Sequence, residues 1–244
     1  MLKFPLAVVS DIHGNCLALE AVLEEIERRN ISDIINLGDT FYGPLAPLAT
    51  AELLKQYPDI IHIKGNGERI LLSPSANRTI IYTQSELGPD MLEIISCLPE
   101  FYADKIIYAC HGAPDSDTSY LLEDVKSKSL HNVKTVEKLL GHTAQALVFC
   151  GHSHISRTFY LNESGQLVIN PGSVGLPAYS DTEPIVHRME SGSPMAQFAV
   201  IHQKDTFWNV EHINIPYDWN AASNMAEKNG RADWAYALKT GRAL

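Results

Sequence analysis

The stretch LAVVSDIHGNCLALEAVLEEIERRN, residues 6–30, decides the fold. Its first four residues are apolar and partly β-branched, which suits a buried strand, and they end in Asp11, His13, Gly14 and Asn15. Leu17, Ala18, Ala21, Val22, Leu23 and Ile26 then recur at helical spacing with charges on the opposite side, so residues 16–30 read as an amphipathic helix. A second strand-like run, IINLGD at 34–39, completes a βαβ unit.

The same texture repeats outward. IIHIKGN at 60–66, KIIYACHG at 105–112, ALVFCGHSH at 146–154 and LVINPGS at 167–173 are also apolar runs that stop in Gly, Asp, Asn or His. Residues 46–56 suit a crossover helix with Pro47 in its first turn, and 89–98 and 119–140 suit longer helical connections. After residue 154 the runs ISRTFYLN, QLVIN, MAQFAVIHQ and FWNVEHINI follow without helices between them, separated by NESG and QKD, which favours antiparallel pairing. The stretch MESGSP at 189–194 reads as a short loop, and residues 216–244, with Trp219, Trp234 and Tyr236, as a partly helical segment packed on the body. No linker divides the chain, so residues 1–244 are expected to form a single domain.

Composition narrows the function. A hydrophobic fraction of 45% supports a sizeable core, and a formal net charge of −10 argues against an extended nucleic acid as partner. The apolar run after Lys3 is too short for a signal peptide and no stretch reaches membrane-spanning length, so the expected location is cytoplasmic. Cys16, Cys97, Cys110 and Cys150 lack C-x-x-C spacing, which fits small buried residues in a reducing compartment.

In parallel α/β sheets the carboxyl ends of strands share an edge, so the polar residues at the six run ends should meet. Asp11 and His13 are separated by one residue, as are His152 and His154, and an extended backbone would point both members of each pair the same way. Asp39, Asn66 and His111 each add one donor atom. Two carboxylates, one amide oxygen and four imidazoles exceed the needs of one tetrahedral ion, but two divalent ions sharing a carboxylate would use them all. Mixed oxygen and nitrogen ligation without thiolate points to Mn, Fe, Zn, Co or Ni, with Mn or Fe favoured. The ions would also supply the local positive charge that a small anionic substrate needs and this acidic chain otherwise lacks. Asn15, before the first helix, suits either an N-cap or contact with a substrate anion. His62 lies in an apolar run and reads as core, whereas His142 could reach the cluster from a loop.

The ordered set Asp11-x-His13, Gly38-Asp39, Gly65-Asn66-Gly67-Glu68, His111-Gly112 and Gly151-His152-x-His154 resembles the calcineurin-like metallophosphoesterases. Asn170-Pro171-Gly172-Ser173-Val174-Gly175 and the C-terminal NGRADWAYALKTGR are similar to the small bacterial and archaeal phosphodiesterase-like branch. The resemblance implies a four-layer α-β-β-α sandwich of two mixed β-sheets and a hydrolase of phosphoester bonds in a small phosphorylated substrate, acting through a metal-bridging hydroxide. It assigns Asp11, His13 and His154 to one ion, Asn66, His111 and His152 to the other, and Asp39 to both, with Asn66 also near substrate. Many relatives carry a histidine where this chain has Gly67, a group held to assist the leaving oxygen. Its absence predicts a preference for phosphodiesters with good leaving groups. Dinucleoside polyphosphates and phosphomonoesters are alternative substrates, and a non-catalytic scaffold of this fold, possible in principle, is disfavoured by the complete ligand set. A homo-oligomer is left open.

Overall fold

A computed structural model describes residues 2–244. The chain begins β1 (Leu6–Val9), α1 (Cys16–Arg28), β2 (Asp33–Asn36), α2 (Pro47–Leu54), β3 (Ile61–His62). It continues through α3 (Asn66–Leu71), α4 (Arg78–Ser96), β4 (Phe101–Ala103), β5 (Ile107–Cys110), β6 (Glu123–Asp124), β7 (Ser129–Leu130), α5 (Val133–Leu140) and β8 (Leu147–Phe149). The remainder is β9 (Arg157–Tyr160), β10 (Leu167–Asn170), β11 (Ala178–Asp181), β12 (His187–Glu190), β13 (Ala196–Lys204), β14 (Phe207–Ile215), α6 (Trp219–Lys228) and α7 (Ala232–Thr240).

Two five-stranded sheets dominate, in the orders β14-β13-β1-β2-β3 and β4-β5-β8-β10-β9. β1, β2 and β3 are parallel, as are β5, β8 and β10, while β13, β14, β4 and β9 pair antiparallel at the flanks. Strand alternation builds the layers. Leu6 and Val8 face inward, where with Ile35 and Leu37 they meet Phe149 and Ile169 of the second sheet. Ala7 and Val9 face outward onto Leu19, Val22 and Ile26 of α1. Across the molecule Val148 and Val168 pack on Val136 and Leu140 of α5. The result is the four-layer α-β-β-α sandwich.

Local chemistry sets the boundaries. The Asn15 side chain accepts a hydrogen bond from Ala18 N at 3.2 Å and starts α1, and Pro47 occupies the first turn of α2, where its missing N–H costs nothing. The expected helix over 119–140 is corrected: only its last third is helical, and residues 123–130 form a small hairpin. Asp124 is the reason, because its Oδ1 accepts from Lys126 N at 3.0 Å and its Oδ2 from the Ser127 hydroxyl at 2.6 Å, a side-chain-closed turn that competes with the helix. The helix expected at 89–98 is the second limb of α4, which Asn77 caps and which bends at Gly88 (φ 71°) before Pro89. The β11–β12 hairpin lacked an alternating pattern and was not foreseen; it covers the stretch expected only as loop near 189.

The C-terminal helices α6 and α7 bury Ala226, Trp234 and Leu238 against Leu45, Leu176 and Ala178. Among the described residues no helix is long and apolar enough to cross a membrane, and all four cysteines are free.

Candidate metal centre

The carboxyl ends of β1 and β2 from one sheet and β5 and β8 from the other open onto a common edge, and the chain there is not extended. Asp11 (φ 55°), His13 (φ 54°), Asp39 (φ 52°), His152 (φ 63°) and His154 (φ 59°) are all left-handed. The extended i, i+2 geometry is therefore corrected; successive left-handed turns aim each pair inward. That conformation costs a non-glycine residue about 1–2 kcal/mol. Main-chain bonds enforce it: Asp11 N donates to Gly38 O at 3.0 Å, His13 N to Asp39 O at 2.8 Å and Gly175 N to Asp11 O at 3.0 Å.

Three histidines are oriented by the same device. Nδ1 of His13 donates to the carbonyl of Tyr42 at 2.8 Å, Nδ1 of His111 to Leu37 at 2.9 Å and Nδ1 of His154 to Leu176 at 2.6 Å. A carbonyl can only accept, so each Nδ1 carries the proton and each Nε2 presents a lone pair inward. His152 is reversed, with Nε2 donating to Thr118 O at 3.1 Å and Nδ1 free. Tyr120 stacks on its ring at 4.8 Å.

The inward atoms converge. His154 Nε2 lies 3.2 Å from Asp11 Oδ1, and His13 Nε2 lies 3.2 Å from His154 Nε2. His111 Nε2 lies 3.5 Å from Asp39 Oδ1 and 3.0 Å from Asn66 Oδ1, while Asp39 Oδ2 faces His13 Nε2 at 3.8 Å. Two donor groups with metal-like spacing result, Asp11-His13-His154 and Asp11-Asp39-His111, all buried. Asp11 Oδ1 is buried with no hydrogen-bond partner. A cation fits such a set, since lone pairs aimed at one another repel without one.

Electrostatics divide the donors: Asp11, His13 and His152 move toward the ionisation states a ligand needs, and His111 moves away from it. Burial pushes the Asp11 carboxyl up, but His154, then His111 and His13, outweigh it and hold the group below the usual carboxylate range. Burial, then repulsion from His111, pushes His152 down to about 4, the neutral state a ligand needs. Burial lowers His13 against the pull of Asp39. Burial also opposes a charged His111, but Asp39 and Asp11 prevail and raise it.

The Gly65-Asn66-Gly67 stretch works differently from a sharp turn. Gly65 is extended (φ −93°, ψ 179°) and Asn66 is the first residue of α3. The glycines are required by close approach instead. A Cβ on Gly67 would sit 2.8 Å from Asp39 Oδ1 and 2.9 Å from Tyr42 Cβ, and Gly67 N donates to Asp39 Oδ1 at 2.6 Å. Glu68, fully buried, accepts from Asp39 N at 2.7 Å, Thr40 N at 2.8 Å, Phe41 N at 3.1 Å and Gly65 N at 3.0 Å. Burial first, then Asp39, pushes its carboxyl up to about 7.

Asn15 is committed within the fold. Its amide donates to Gly175 O at 2.9 Å and the Tyr217 hydroxyl at 3.1 Å, its oxygen caps α1, and the residue is buried, which is the N-cap of the two roles expected for it. His142 is exposed beyond α5 and lines neither cleft at the centre. His62 is not a ligand; burial pushes it down to about 4 beside Asn36, whose amide lies 3.2 Å from its Nδ1. Sequence reasoning missed Glu68, whose position in the motif was visible but whose four bonds were not, and Arg231 and Trp234, which reach the centre from the far end of the chain.

The sequence profile of the calcineurin-like phosphoesterase superfamily domain matches residues 4–192. The chain belongs to that family. An uncharacterized protein of Methanocaldococcus jannaschii is 27% identical over 262 aligned positions, covering 96% of each chain. Among solved structures, a metallophosphoesterase from Sphaerobacter thermophilus superposes with a TM-score of 0.76 at 22% identity, covering 97% of this chain and 98% of that one. A hypothetical protein from Pyrococcus horikoshii OT3 gives 0.75 at 20% identity, covering 98% and 99%. Membership of the calcineurin-like phosphoesterases makes the chain a hydrolase of a metal-dependent family, and the Asp and His cluster is where metal would be held.

Proposed function

We propose that this calcineurin-like phosphoesterase is a two-metal phosphodiesterase for small substrates with good leaving groups. The observation that carries the reading is the convergence of three Nδ1-anchored histidines on two buried carboxylates. Asp11, His13 and His154 would hold one ion and Asn66, His111 and His152 the other. Asp39 would be shared, since its two oxygens face His13 at 3.8 Å and His111 at 3.5 Å; Asp11, which falls in both donor groups, lies closer to His154 (3.2 Å) than to His111 (3.9 Å) and is given to the first ion. The mixed oxygen and nitrogen donors suit Mn, Fe, Zn, Co or Ni, of which this reading favours Mn or Fe. Such ions, when bound, lower the pKa of a water and neutralise phosphoryl oxygens.

The protein's own residues do the positioning. Backbone carbonyls lock the imidazoles in one tautomer, and Glu68 holds the Asp39 loop in its left-handed turn. Gly67 presents no proton donor, so the departing oxygen leaves with its electron pair and takes a proton from water; weakly basic leaving groups depart fastest. A diester also suits the surface. A cavity of about 240 Å³ walled by Tyr42, Tyr179 and Trp234 and a second of about 830 Å³ walled by Thr118, Tyr120 and Lys126 share Asn66, His152 and Asp181. A phosphate between them has room for a substituent on each side. In this reading residues 1–244 act as one domain, with 216–244 closing one wall.

The test is a panel of phosphomonoesters, phosphodiesters and dinucleoside polyphosphates assayed with Mn, Co, Ni, Zn and Mg. Aryl phosphodiesters should turn over fastest and Mn should support the highest rate. Turnover of none of these with any metal would refute the assignment.

A further inference from the structure

We propose that Arg231, on the C-terminal segment, is a substrate-binding residue whose guanidinium grips the non-bridging or leaving oxygen of the phosphoester. The cavity of about 240 Å³ is floored by His13, Asp39, Asn66, His152 and His154, and Arg231 is the one lining side chain with a permanent positive charge. This inference rests on the phosphoesterase reading and names a group that reading does not use.

The guanidinium is held ready. Nε and Nη2 donate to the two Asp233 oxygens at 2.9 and 2.6 Å, and Nη1 donates to the Thr79 hydroxyl at 2.9 Å. Its carbon lies 5.2 Å from the centre of the Trp234 ring, and that ring meets His13 edge-on at 5.4 Å. An arginine has five N–H donors; these contacts use three and the Tyr42 hydroxyl lies within reach of the same guanidinium, so at least one remains for a ligand in a cavity shared with the metal-binding side chains. Tyr42 fills the space over Gly67 and packs on Trp234 of the C-terminal helix at 6.2 Å, which ties that helix to the wall above residue 67. Arginine does not release a proton at neutral pH, so its contribution is charge neutralisation, and the dependence on a good leaving group persists.

A merely structural arginine would tie residue 231 to Thr79 at the start of α4 and do no more. Four proteins separate the two roles: the full-length, metal-loaded wild type, Arg231→Gln, Arg231→Lys and Thr79→Val. Inorganic phosphate affinity is measured by calorimetry, with metal content, thermal midpoint and KM and kcat for an aryl phosphodiester alongside. Loss of a charge-assisted contact predicts phosphate affinity weakened about 10- to 100-fold in Arg231→Gln, partial recovery in Arg231→Lys, and metal content unchanged. Thr79→Val removes one of the contacts that hold the guanidinium but leaves its charge in the cavity, so it should lose less phosphate affinity than Arg231→Gln. The proposal is overturned if phosphate affinity is unchanged in Arg231→Gln, or if Thr79→Val loses as much. Should the glutamine variant fail to fold, unaltered phosphate affinity in a folded Arg231→Lys overturns it equally. A metal-loaded wild type that neither binds phosphate nor cleaves any phosphoester would fail the phosphoesterase reading itself, a result separate from any difference among the variants.

Discussion

Nε2 of His13 and Nε2 of His154 face each other at 3.2 Å, with each opposite nitrogen tied to a backbone carbonyl. Both lone pairs therefore point into the same space beside Asp11 Oδ1, which has no hydrogen-bond partner. An ion between them converts a repulsive contact into two bonds. Replacing His154 with Ala should remove about one ion per chain and leave the other, as read by elemental analysis after dialysis. Retention of both ions would show that this pair is not a ligand pair.

Metal removal should destabilise the protein, because the ions bind the folded chain and not the unfolded one. At a free metal concentration one hundred times Kd, binding contributes about 2.7 kcal/mol, which for a chain of this size corresponds to roughly 5–10 °C in Tm. Calorimetry with and without a chelator measures it. An unchanged Tm would argue that the cluster is satisfied without metal.

Glu68 holds four amides that have no other acceptor in the turn. Glu68→Ala leaves them buried and unpaired, at about 1–3 kcal/mol for an unsatisfied group, and should cost at least about 3 kcal/mol in denaturant unfolding together with metal retention. Glu68→Gln keeps the shape but turns an NH2 group toward N–H donors, so it should fall between alanine and wild type. A neutral Glu68→Ala would contradict the role given to it.

Installing the histidine common in relatives should not help. The first carbon of a side chain at Gly67 meets Asp39 Oδ1 at 2.8 Å and Tyr42 Cβ at 2.9 Å. Gly67→His should lower stability by about 1–3 kcal/mol through overpacking and should not raise turnover. A more active, equally stable variant would show that the loop opens more readily than this packing allows.

Leaving-group chemistry offers a kinetic check. With no acid at position 67, kcat/KM for an aryl phosphodiester should exceed that for glycerol phosphate by at least about 100-fold, the lower range of what general acid catalysis contributes. Equal rates would mean that another group protonates the departing oxygen.

The repeating run-and-stop pattern made much of the architecture legible. Continuous apolar runs at Leu6–Val9 and Leu147–Cys150 marked strands because both faces are buried, and Ile34–Leu37 follows them with one buried polar residue, Asn36, whose amide is bonded to Thr40. The candidate ligands were legible because their residue types recur at strand ends. Their backbone was not: five left-handed residues arise from bonds between distant loops, such as His13 N to Asp39 O, which no local pattern encodes. Asn15 was ambiguous because a cap and an anion contact use the same residue type, and only its three bonds decide. Trp234 was expected only in a segment packed on the body, and neither it nor Arg231 was read as part of the centre, because they join it by packing of α7 on β11, more than two hundred residues from Asp11 in sequence.

The most direct test of the central claim is metal stoichiometry by equilibrium dialysis against Mn, comparing wild type with Asp39→Asn. The account predicts two ions per wild-type chain and no more than one in the variant, because the carboxylate facing both His13 and His111 is the group the ions would share. One ion or none in the wild type, or two in Asp39→Asn, would contradict it.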